Sequence, residues 1–250
     1  MENLIKSLNI LNKKYNVVGV KQSTEDEGAL YNDILLMRRI SEINKLKLSI
    51  KIGGCEAKTD IDFCKKILTN GIVAPMVESE FALQKFIEST INIKNIDLYI
   101  NIESKTAYNN LDNILNSPSA KLLKGIVVGR SDLTKSFGYS KDYVDSPFMQ
   151  DIVYKTLNKI NQYGLTTLMG GNISPKSSTF INQLYTEKLL NYIETRNIII
   201  QLNNNNVNNL NDTIKSSLLF ESEWLNYKAS YYNQIGDQYI NRSSTILDRL

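Results

Sequence analysis

The chain has no histidine among its 250 residues. That removes Ser-His-Asp and Cys-His nucleophile couples and every imidazole metal site, and leaves Glu, Asp, Lys, Tyr or a bound hydroxide to move protons. Cysteine is nearly absent as well. Cys55 and Cys64 alone make neither a disulfide framework nor a zinc site, and no imidazole is present to activate a thiol. Nowhere does an apolar run approach the roughly 18 residues of a membrane span. The opening MENLIKSLNILNKKY is too polar for a signal peptide, so a cytoplasmic protein without membrane contact is expected. A strong charge of one sign is also missing: Lys+Arg 29 stand against Asp+Glu 26, scattered among one another, and nothing resembles a nucleic-acid footprint.

What remains is ordinary soluble material, 42% hydrophobic and 22% charged, in a chain long enough for one full core. Leu4, Ile5, Leu8 and Leu11 at helical spacing open the chain with an amphipathic helix. Strands and helices then alternate. Strands are expected at 16–21, 48–53, 72–77, in the two blocks described next, at 166–170 and at 193–200, with helices at 29–44, 60–69, 80–90, 148–163 and 176–187. Alternation of this kind implies parallel βαβ units. Seven strands are counted, which a modified barrel or an open doubly wound sheet would accommodate. The asparagine-rich 203–211 reads as a polar loop. Beyond it, Leu210, Ile214, Leu218, Trp224, Leu225, Tyr231, Ile235 and Tyr239 suggest long helices broken near Gly236, with more apolar surface than one closing helix needs.

Residues 97–138 organise the rest. DLYINIESKTAYNNL is a β-branched, apolar run that ends at Glu103 before a helical pattern, and GIVVGRSDLTKSFG repeats the plan with Asp132 just after a short buried strand. In parallel α/β folds such strand ends share one face. Two carboxylates converging there suit a hard divalent cation whose other positions are filled by water and substrate oxygens. Each could instead simply favour the start of the helix that follows it.

These blocks, INIESKTAYNNLDNIL and GIVVGRSDLTKSFG, resemble the metal-binding segments of the HpcH/HpaI aldolase and citrate lyase β-subunit superfamily. The resemblance implies a TIM-type (β/α) barrel, over about residues 1–205, whose first strand is missing and whose N-terminal helix plugs or replaces it. Residues 206–250 would form a C-terminal helical segment packed on the barrel or on a neighbouring subunit. It also implies Glu103 and Asp132 as ligands of a divalent metal, Mg2+ or Mn2+, that binds a 2-oxo acid. Lys51 stands where the family has a substrate-binding arginine, and a lysine keeps the charge but loses the bidentate fork. Arg130 is an unusual residue for its place and could supply that guanidinium, beside Gly129 and Ser131 as substrate-contacting positions. The family's pyruvate aldolases carry a histidine after the strand corresponding to 16–21. This chain has Thr24, Glu25 and Glu27 there, with Glu25 the candidate base.

The implied activity is metal-dependent carbon-carbon cleavage of a 2-oxo acid or its thioester by a homo-oligomer. The missing histidine and the lysine at position 51 equally suit a barrel that has lost catalysis and serves as a binding or assembly subunit. A further possibility is another metal enzyme of the wider phosphoenolpyruvate/pyruvate superfamily.

Overall fold

The computed structural model describes residues 1–24 and 29–250. Eight strands among them close into one barrel: β1 Val17–Ser23, β2 Lys47–Lys51, β3 Gly71–Ala74, β4 Asp97–Ile102, β5 Gly125–Gly129, β6 Thr166–Gly170, β7 Tyr192–Glu194 and β8 Ile198–Gln201. β1 to β7 pair in parallel with their sequence neighbours, whereas β8 runs antiparallel to both β7 and β1. The helices are α1 Glu2–Tyr15, α2 Tyr31–Ile43, α3 Lys58–Lys66, α4 Glu80–Thr90, α5 Lys105–Asn109, α6 Leu111–Asn116, α7 Arg130–Ser136, α8 Pro147–Gln162, α9 Ser178–Thr186, α10 Asn204–Asn208 and α11 Leu210–Leu247.

The fold is therefore the expected TIM-type barrel, but it closes in an unexpected way. The apolar stretch 193–200 is two strands, folded back on each other at Thr195, Arg196 and Asn197. The returning strand fills the eighth position, while α1 lies in the outer helical layer with Leu4, Leu8 and Leu11 buried. The turn carries no glycine or proline, so nothing local marks it. It is held by tertiary hydrogen bonds. Asn197 N–H donates to Glu221 Oε1 at 2.6 Å, the Asn197 carboxamide donates to Lys21 O at 3.1 Å, and Lys21 N–H donates to Asn197 O at 2.9 Å.

Two C-terminal expectations also change. The asparagine run is a clasp rather than a loop. Asn203 caps α10 in a reciprocal capping box, and buried Asn206 donates its carboxamide to Tyr15 O at 3.0 Å and Gln201 O at 2.7 Å. Nor does Gly236 break α11, which runs unbroken for 38 residues, about 57 Å at the usual rise. One mid-helix glycine costs only about 1 kcal/mol. The first half of α11 buries Leu210, Ile214, Phe220 and Trp224. Tyr232 Oη then donates to Asp33 Oδ1 at 2.7 Å and Lys228 pairs with Asp33 at 2.8 Å. After that point Tyr239, Ile240 and Leu247 are exposed.

α1 is thus part of the core. Leu8→Ala, at a fully buried position, is expected to lower unfolding free energy by about 2–5 kcal/mol in urea titrations.

Candidate active site at the mouth of the barrel

β1 to β7 all end on one face, and a cavity of about 370 Å³ opens there. Glu103, one residue past β4, and Asp132, in the first turn of α7 after β5, both line it. So do Lys51, Gly129 and Ser131. Five of the residues expected at the site thus share one cavity. Glu25 lies outside the described residues.

Glu103 is the most constrained group. Only 2% exposed, it accepts the Met76 N–H at 3.1 Å on Oε1. On Oε2 it accepts the Asn101 carboxamide at 2.8 Å and the Lys51 ammonium at 3.5 Å. Met76 reaches it from the left-handed region, φ 50°, a conformation that an unbranched residue adopts at some cost. Gly129 faces it across the sheet, and a Cβ there would sit 2.8 Å from Glu103 Cβ and Oε2. The glycine that ends β5 is therefore required by the carboxylate that follows β4. Asp132 is less enclosed and accepts Lys135 Nζ at 3.0 Å on Oδ1.

Asn101 adds what the sequence did not signal. It points into the barrel one alternation before Glu103, and its Oδ1 is buried without a partner among the described residues. An unmatched buried oxygen is costly unless something meets it. With Glu103 and Asp132 it gives three hard oxygen donors on one cavity, the donor chemistry of a magnesium-type ion completed by water and substrate. Among the described residues no cluster of three or more His, Cys, Asp or Glu is present, and the Asn101 amide is the further oxygen that stands beside the two carboxylates on the cavity wall. The residues fit such an ion in kind and number.

Arg130 is placed differently from expectation. It is fully buried and absent from the cavity wall. Its guanidinium spends its donors on Asp145 Oδ1 at 2.7 Å, Ser177 Oγ at 3.1 Å and the carbonyls of Gly170, Gly171 and Asn172 at 3.1–3.4 Å. These carbonyls belong to the end of β6 and the loop that follows it. Gly171, at φ 83°, packs so close to α7 that a Cβ would lie 2.4 Å from Ser131 N. Arg130 fastens that loop behind the site instead of reaching into it.

The cavity also holds Lys21, Lys141, Glu194, Arg196 and Glu221, which sequence reasoning did not select. Lys21 and Glu194 form a buried ion pair across the β1 and β7 strands, and a Cβ at Gly170 would lie 2.9 Å from Glu194 Oε1. Glu194 ends β7 whereas Lys21 lies inside β1, and no local pattern linked the two. Elsewhere, burial raises the Cys55 thiol and pushes Cys64 up to about 12, which disfavours the thiolate at both positions.

Residues 51–164 match the family model described as HpcH/HpaI aldolase/citrate lyase, a span that contains both blocks. The predicted resemblance holds. Among solved structures, an HpcH/HpaI aldolase/citrate lyase family protein from Burkholderia cenocepacia J2315 is 13% identical, with a TM-score of 0.62 over 78% of this chain and 83% of that one. The HpcH/HpaI aldolase from Desulfitobacterium hafniense DCB-2 is 11% identical, with a TM-score of 0.62 over 78% and 82%. The citrate synthase SbnG is 14% identical, with a TM-score of 0.63 over 94% and 90%. At these identities the structures support the barrel alone. No curated protein sequence matches. Among the described residues no helix is long and apolar enough to cross a membrane.

Removing Arg130 takes the cationic partner from Asp145, leaving it only the Ser177 hydroxyl, and takes a donor from the carbonyls of Gly170, Gly171 and Asn172. Arg130→Ala is expected to cost about 3–5 kcal/mol of stability, as loss of one member of a buried pair does, measured by chemical denaturation. A variant as stable as the parent would show that the loop does not depend on it.

Proposed function

We propose that the chain is a carbon-carbon lyase or aldolase that cleaves a 2-oxo acid or its thioester through an enolate. The observation that carries this is the convergence of Glu103, Asp132 and Lys51 on one cavity, inside the segment that matches the aldolase/lyase family. Glu103, Asp132 and Asn101 Oδ1 would hold the divalent ion, Mg2+ or Mn2+. When bound, such an ion acts as a Lewis acid that stabilises enolate charge.

The protein's own residues do the remainder. Lys51, 8% exposed and fixed by Glu103, supplies positive charge in a desolvated place where a substrate carboxylate would otherwise meet two anionic ligands. Gly129 and Ser131, at the junction of β5 and α7, line the wall against which the oxo acid lies, and the bare Cα of Gly129 lets Glu103 keep its place beside it. A lysine cannot make the planar two-point contact of an arginine, so orientation falls partly to the wall.

The exposed end of α11 supports assembly with a second copy. Tyr239, Ile240 and Leu247 are exposed on the part of α11 beyond Tyr232, and large apolar side chains gathered on one exposed helix end suit a subunit contact. Sedimentation should give an oligomer at micromolar concentration, and truncation after Tyr232 should weaken it. A monomeric full-length chain would contradict this.

Two measurements test the activity. Calorimetry should show Mg2+ or Mn2+ binding that Asp132→Ala abolishes, whereas unchanged binding would reduce the acids to helix-start residues. With the metal present, a panel of 4-hydroxy-2-oxo acids should release pyruvate. Binding of the acids with no release would favour the alternative of a non-catalytic binding subunit, to which the missing histidine also points.

A further inference from the structure

Glu221 belongs to neither block and to no strand. It comes from the first half of α11, yet its side chain stands on the cavity wall. Its Oε1 accepts Thr195 Oγ–H at 2.5 Å and Asn197 N–H at 2.6 Å, and Oε2 has no donor among the described residues. Each of the other described carboxylates of the cavity is paired with a lysine, Glu103 with Lys51, Asp132 with Lys135 and Glu194 with Lys21, whereas the hydrogen bonds to Glu221 come from a neutral hydroxyl and a backbone N–H.

We propose that Glu221 is the acid-base group of this site. The proposal rests on the oxo-acid reading above. In cleavage of a 4-hydroxy-2-oxo acid, the Glu221 carboxylate takes the proton of the C4 hydroxyl. The C3–C4 bond breaks, the O–H electron pair becomes the carbonyl of the departing aldehyde, and the C3–C4 pair passes into the C2–C3 enolate. Glu221 then returns the same proton to C3, giving the shorter 2-oxo acid. Nothing is oxidised, and the carboxyl ends as it began.

The setting suits a group that must both take and give. Burial raises the Glu221 carboxyl above the usual range, against the opposing pull of Thr195, Asn197, Lys21 and Arg196. Efficient proton transfer needs a pKa moved toward the working pH. The described charged groups around it are Lys21 on β1, Glu194 on β7 and Arg196 in the turn. The proton-accepting form is the carboxylate, so the rate should rise with pH along a limb set by this raised carboxyl.

Deuterium exchange into the methyl group of pyruvate, followed by proton NMR of the metal-loaded, full-length protein, runs the return step in reverse. Glu221→Gln keeps an acceptor for Thr195 and Asn197, so the turn should hold, as unchanged melting would confirm. Exchange should fall about 100-fold, Glu221→Asp should recover part of it, and affinity for oxalate, an enolate mimic, should be nearly unchanged. A Gln variant that exchanges at the parent rate along the same pH limb overturns the proposal. Failure of the parent chain both to exchange pyruvate and to bind oxalate overturns the oxo-acid reading, and this proposal with it. Oxalate binding by the parent without exchange overturns the proposal alone.

Discussion

Closure of the barrel by a strand running the wrong way is the constraint on which the rest depends. Seven parallel strands leave two open edges, and exposed edges of unpaired N–H and C=O groups are unfavourable. β8 satisfies both by pairing antiparallel with β7 and β1. Closure fixes the ends of β1 to β7 on one face, which is what brings Glu103, Asp132 and Lys51 together. It also has a consequence particular to this chain. An antiparallel strand must enter from the mouth, so the tight turn Thr195–Asn197 sits at the cavity and needs an anchor, and Glu221 provides it. The device that closes the barrel thereby brings an acid from α11 into the site.

The second organising feature is charge held in pairs. Lys51 lies against Glu103 and Lys21 against Glu194, both couples largely shielded from water. In such places an unpaired charge would be costly, and a pair is tolerated when its remaining hydrogen bonds are met. Glu103 meets that condition through Met76 and Asn101. Its geometry is fixed before any ligand arrives, so little reorganisation is needed when charge develops nearby. Arg130 works one layer back, where its fork ties residues 170–172 to Asp145 and Ser177.

Much of this was legible in the sequence because local pattern and tertiary environment agreed. The β4 and β5 blocks combine short apolar runs, a carboxylate at each end and Gly129, and all three features survive in the structure. Where the reading departed, the deciding interaction came from distant residues. The turn at 195–197 is invisible without Glu221, 24 residues further from Asn197. The asparagine run reads as a loop until Tyr15 and Gln201 supply the carbonyls for Asn206. Arg130 stood beside the right residues, but sequence position does not reveal which way a side chain turns, and buried acceptors drew it away from the mouth. Asn101 was missed because a single amide within a strand has no pattern of its own.

The central claim is that Glu103, Asp132 and Lys51 form one oxo-acid site. A crystal structure with magnesium and oxalate tests it most directly. One ion should be bound by the Glu103 and Asp132 carboxylates at roughly 2.0–2.1 Å, with oxalate chelating it through one oxygen of each carboxylate and an uncoordinated oxygen turned toward Lys51. Oxalate bound elsewhere, or the two carboxylates turned away from a common ion, would contradict it.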